Sequence, residues 1–165
     1  MQKFTLDTEA SSVDLHEISV IALHAGGMPS YKLVHFLNKH LGWKLRHTRM
    51  RHKPPFNPKM ELDVFTHVMN AERVQWFLVN NKKDGHVWIP KLDGVDYWLL
   101  FFGAGALFFD MEQFLQQISE LDFIINATYF PLEKAQKPEQ KSPFFKFFQA
   151  LYQEADEKNM VRWFE

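Results

Sequence analysis

The chain contains no cysteine, and that absence removes a disulfide framework, a thiolate zinc site and a cysteine nucleophile together. Such a composition fits a reducing compartment, and the expected location is cytoplasmic. Glycine is scarce, at seven residues, and is nowhere arranged as GxGxxG or GxxxxGK[ST]. Gly26-Gly27 and Gly103-Ala104-Gly105 therefore make no phosphate cradle. No GxSxG elbow presents a nucleophilic serine. The longest apolar run, 97–109, is thirteen residues and is broken by Gly103 and Gly105. About 20 are needed to span a bilayer, so no membrane span is expected. Asp7 and Glu9 stand where a signal peptide would be apolar, so none is expected.

Carboxylates are missing from one long stretch. Residues 18–60 hold no Asp or Glu, while Lys32, Lys39, Lys44, Arg46, Arg49, Arg51, Lys53 and Lys59 supply eight positive charges. Residues 61–130 then carry ten acidic side chains against four basic ones, within an overall net charge of −1. The chain is thus polarised along its length, a pattern that can orient a charged partner. Aromatics are abundant: seventeen Phe and five Trp imply a core built on rings, each burying roughly 150–250 Å² when enclosed. With 165 residues and no internal repeat, the chain reads as one compact domain.

The pattern is organised around Ile89-Pro90-Lys91-Leu92-Asp93-Gly94-Val95-Asp96-Tyr97, followed by Trp98-Leu99-Leu100-Phe101-Phe102. Pro90 fixes its own φ and Gly94 permits a positive one, so a tight turn feeds a buried strand. Ile-Pro and Val-Asp-Tyr at this spacing resemble the small bacterial family named for an IPExxxVDY motif and typical of the Bacteroidetes. The helical stretch from Leu33 to Gly42 and the segment from Val74 to Lys82 agree with that resemblance, which covers 15–130. Lys91 stands where the motif has Glu, so the position is treated as structural or variable. The resemblance implies no catalytic residue.

Taken in order, the spacing predicts a two-sided apolar strand over 15–24, broken by Gly26-Gly27. A helix opened by Pro29 runs to Leu41, with Leu33, Phe36, Leu37, His40 and Leu41 on one face and Gly42 as its stop. A basic strand over 43–51 leads into a loop with Pro54, Pro55 and Pro58. A hairpin of 62–69 and 74–80 follows, then an Asp84-Gly85 turn and the motif strand. Asp110 caps a helix over 111–121, with Gln113 as in a capping box, and 123–130 forms a last strand. This order predicts an α+β fold, an antiparallel-rich sheet with two helices on one face, related to the ferredoxin-like sandwich. The predicted divisions are an arm 1–14, the α+β domain 15–130, a linker 131–141 and a C-terminal amphipathic helix and tail 142–165. On that helix, opened by Ser142-Pro143, Phe144, Phe148, Leu151 and Tyr152 recur at helical spacing, with Phe145 and Phe147 widening the surface. It either docks on the chain's own sheet or makes an apolar contact with a partner or a second copy in a homodimer. Its polar face lacks the basic excess of a membrane-surface helix.

None of the eight histidines forms the i,i+4 pair of a helical zinc site, and no metal or cofactor ligand is assigned. Asp93 and Asp96 flank the motif turn; Asp96 is read as an acceptor for backbone N–H groups of 89–94, and Tyr97 as a strand aromatic with a hydrogen-bonded hydroxyl. No catalytic residue is assigned. Ile89, Pro90, Gly94, Val95, Asp96 and Tyr97 are read as a structural motif. Lys44, Arg46, Arg49, Arg51 and Lys53, beside Trp43, give the best electrostatic contact, and basic side chains on an edge strand also block aggregation. The sequence therefore points to a non-enzymatic binding protein acting through protein contacts. The alternatives are RNA association through strand 43–53 and a small-ligand regulatory domain.

Overall fold

The computed structural model of the chain describes residues 18–48, 61–69, 74–89, 94–103 and 109–130. The predicted arm, the turn at 70–73, the proline loop and the tail from 131 lie outside them.

The fold is α+β. Strand β1 (Ile18–His24) leads to helix α1 (Ser30–Leu41), a short β2 (Arg46–His47), β3 (Val64–Met69) and β4 (Val74–Asn80). A small hairpin of β5 (Lys82–Lys83) and β6 (His86–Val87) precedes β7 (Tyr97–Phe102), α2 (Met111–Ser119) and β8 (Asn126–Tyr129). Six of the described strands form one sheet in the order β2-β3-β4-β7-β1-β8, and every pairing described in it is antiparallel. Strands β4 and β7 are buried along their whole length, which is why both read as apolar runs rather than alternating ones.

Local chemistry sets the element ends. Gly42 takes φ 70°, and its N–H bonds Asn38 O, closing α1 in a left-handed cap. Asp84 and Gly85 both have positive φ and join Lys83 to His86, the two-residue turn whose twist suits a tight hairpin. Asp110 caps α2 through Gln113 N at 3.0 Å. The last strand begins at Asn126 rather than 123, because Phe123 turns its ring to Phe36 and His40, 5.2 and 5.5 Å away. The described part of the basic strand narrows to Arg46 and His47. Trp43 turns into the core instead, and the Asn38 amide bonds both Leu45 N (2.8 Å) and Leu45 O (3.2 Å), taking the place of a neighbouring strand.

Both helices lie on one face of the sheet. Leu33 and Leu37 of α1 and Phe114 and Ile118 of α2 share a core with Ile21, Leu23, Trp76, Leu78, Leu99 and Phe101. Trp76 is its centre, with Phe101 stacked at 4.4 Å, Trp43 at 4.7 Å and Phe114 at 4.9 Å. Such ring pairs contribute about 0.5–1.5 kcal/mol each beyond area burial. They offset the buried Trp76 indole N–H, which has no hydrogen-bond partner among the described residues. His40, expected on the apolar face, is exposed. No described helix is long and apolar enough to cross a membrane.

Candidate interaction site

The motif loop is a bonding centre, and its hub is a residue the motif does not contain. Asn81, fully buried, follows β4 directly. Its Nδ2 donates to Val95 O at 2.9 Å, while its Oδ1 accepts from Ile89 N at 3.0 Å and Trp98 Nε1 at 2.9 Å. Its backbone N–H donates to Asp96 O, and its carbonyl accepts from Trp88 N. One amide therefore ties the end of β4, the end of the small hairpin and the start of β7. Buried polar groups of this kind hold a loop only when every one is satisfied.

Asp96 and Tyr97 extend the tie to β1 and α1. The Asp96 carboxylate accepts from Ala25 N at 2.7 Å, its backbone N–H donates to Leu23 O, and Lys82 Nζ lies 3.5 Å from its other oxygen. Most of the turn whose N–H groups Asp96 is expected to accept, 90–93, lies outside the described residues; the described bond reaches 71 residues back along the chain. It forms because β7 runs antiparallel to β1, placing Asp96 beside the first turn after it. The Tyr97 hydroxyl donates to Met28 O, just before α1. Burial first, then the nearby Asp96 and Asp63 carboxylates, push that hydroxyl up to about 12. Val95 is buried and Gly94 exposed, and Pro90 lies outside the described residues. Through the Asp96 carboxylate on Ala25 N and the Tyr97 hydroxyl on Met28 O, the described part of the motif fastens β7 to the segment between β1 and α1.

Among the described strands the basic strand is an edge. β2 pairs there with β3, through Arg46 opposite Thr66 and His47 opposite Phe65. Lys44 and Arg46 are exposed, and no described carboxylate pairs with either. His47 Nε2 lies 3.8 Å from Asp63, whose main cation is Lys83 at 2.9 Å. Arg49, Arg51 and Lys53 lie outside the described residues, as do Phe144, Phe148, Leu151 and Tyr152. Trp43, the ring proposed beside the basic strand, stacks on His67 at 5.6 Å and on Phe114 at 5.9 Å in addition to Trp76. It is a wedge between α2 and the sheet. His67 accepts from Lys44 N at 3.2 Å; burial and then the Lys44 charge hold its pKa below the ordinary value.

A surface that sequence reasoning passed over lies on α1. Tyr31 is 74% exposed, and Lys32, His35, Lys39 and His40 are exposed with it. Beside them His35, Phe36, Phe123 and His40 form a line of rings with successive centroids 5.6, 5.2 and 5.5 Å apart. No carboxylate interrupts α1, and past Gly42 the cations continue as Lys44 and Arg46. Part of this is structural, since Lys39 and His40 sit in the last turn, where positive charge offsets the helix dipole. The signal was present in the acid-free stretch 18–60, but helical phase alone placed His40 inward.

No group of three metal-binding side chains is found among the described residues. Comparison with known protein families and with curated proteins finds no match to this chain.

Proposed function

We propose that this chain is a non-enzymatic binding protein acting through protein–protein contacts, and that it offers an acidic partner surface the outer face of α1 together with β2. The observation carrying this reading is the largely exposed Tyr31 on a helix with Lys32, His35, Lys39 and His40 at its surface and no carboxylate. Aromatic and cationic side chains on a helix face suit a partner rich in Asp and Glu, and the charge governs encounter rate and salt dependence. The RNA reading is less favoured, because the Trp43 ring that would stack on a base is stacked internally instead.

Membership of the IPExxxVDY family belongs to the same reading, on the strength of Ile89, Val95, Asp96 and Tyr97. So does the ferredoxin-like plan. Within the sheet, β4-β7-β1-β8 with α1 after β1 and α2 after β7 supports that plan, with β3 and β2 as an added edge.

Titration with poly-L-glutamate and with a uridine oligonucleotide, each at low and moderate salt, tests the proposal. The acidic polypeptide should bind the parent chain, weaken with salt, and be lost in the Lys39→Glu/Arg46→Glu variant. Oligonucleotide binding without polypeptide binding would replace this reading with the RNA one.

A further inference from the structure

The second face of the sheet is buried, although both described helices lie on the first. Strand alternation identifies its residues: Ile21 and Leu23 point into the helix-side core, so Val20 and its neighbours in register point away. Val20 lies beside Leu100, which lies beside Phe77; one row along, Trp98 lies beside Val79, and Phe102 closes the next row. None of these six side chains belongs to the helix-side core, and their exposures run from 0 to 7%. A sheet face left to water would expose such residues far more. Among the described side chains, the Phe130 ring lies edge-on to Trp98 at 5.5 Å, and the Asn81 amide accepts from the Trp98 indole N–H.

We infer that the chain's own segment 142–155 covers this face. The chain leaves β8 through Phe130, whose N–H bonds Val20 O and whose ring already lies on the buried side. Thirty-five residues follow. Eleven of them, 131–141, reach up to about 36 Å when extended, and the four strands from β4 to β8 span only ~15 Å. Over 142–155 come Phe144, Phe145, Phe147, Phe148, Leu151 and Tyr152, a wide apolar stripe at helical spacing. The other longer segments outside the described residues are poorer in large apolar side chains: 1–17 offers Phe4, Leu6, Val13 and Leu15, 104–108 only Leu107 and Phe108, 156–165 Met160, Val161, Trp163 and Phe164, and 49–60 is basic and holds three prolines. The tail is thus the second layer of the domain, and the binding surface on α1 is independent of it.

The absence of native cysteine allows single thiols to report on the cover in the full chain. The thiol of a Phe148→Cys variant should react with a maleimide at least about 100-fold more slowly than that of Ile125→Cys, a site 73% exposed. Hydrogen exchange on the unmodified chain is the second measurement and does not depend on a substitution being tolerated. Peptides from 142–155 should be protected to the same degree at low and high protein concentration. Equal thiol rates, or fast exchange across 142–155, would overturn the inference. Protection that appears only as the chain dimerises would overturn it as well, by assigning the cover to a second copy.

Discussion

Asn81→Ala should be among the most damaging single substitutions in this protein. The amide satisfies three buried partners: the Val95 carbonyl, the Ile89 N–H and the Trp98 indole N–H. Truncation removes the partner of all three, at about 1–3 kcal/mol each, so a cost of roughly 3–9 kcal/mol follows. That is a large share of the ~5–15 kcal/mol that holds a domain together. Asn81→Asp separates the hub from a simple packing role. It keeps the oxygen facing Ile89 and Trp98 but turns a second oxygen toward the Val95 carbonyl. Ionised, that oxygen repels the carbonyl; protonated, it donates as the amide did. The carboxyl pKa in the folded variant is therefore raised above its unfolded value of about 4. A raised pKa gives stability that is present at low pH and lost as pH rises, because the folded state holds its proton longer. Relative to the parent, Asn81→Asp should be closest in stability near pH 4 and furthest below it at pH 7. Urea unfolding followed by tryptophan fluorescence at the two pH values measures both effects. A cost under about 1 kcal/mol for Asn81→Ala, or a pH-independent deficit for Asn81→Asp, would refute the hub.

Tyr97→Phe removes a group that titrates late in the folded chain, near 12 against an unfolded value of 10. The folded state holds this proton while the unfolded state releases it, so the parent loses about 2–3 kcal/mol between pH 10 and 12. The stability gap between parent and Tyr97→Phe should narrow over that window, and parallel curves would count against a buried, neutral hydroxyl on Met28. Trp43→Ala should cost about 2–4 kcal/mol in the same urea assay, since its ring lies against Trp76, Phe114 and His67. A loss under about 0.5 kcal/mol, typical of a surface site, would free that ring for a ligand and revive the RNA reading.

Much of the local architecture follows from the chain's own chemistry. Pro29 and Gly42 bound α1, Asp110 starts α2, and Asp84-Gly85 makes the small hairpin, because each of these acts within a few residues of itself. Strand β4 matches its expected bounds, since a β-branched and aromatic run between polar residues has few alternatives. The antiparallel, two-helix α+β class follows from the order of such elements. Tertiary structure decided what lies far apart in sequence. It aligned Asp96 with Ala25, gave the Asn81 amide two backbone partners and one indole, drew Trp43 inward and left the α1 cations outside. Asn, Asp and Trp bond equally well to near and distant backbone. Which partner each finds depends on strand register and on which face of the sheet the helices cover, and those are properties of the packed chain rather than of any short stretch of it.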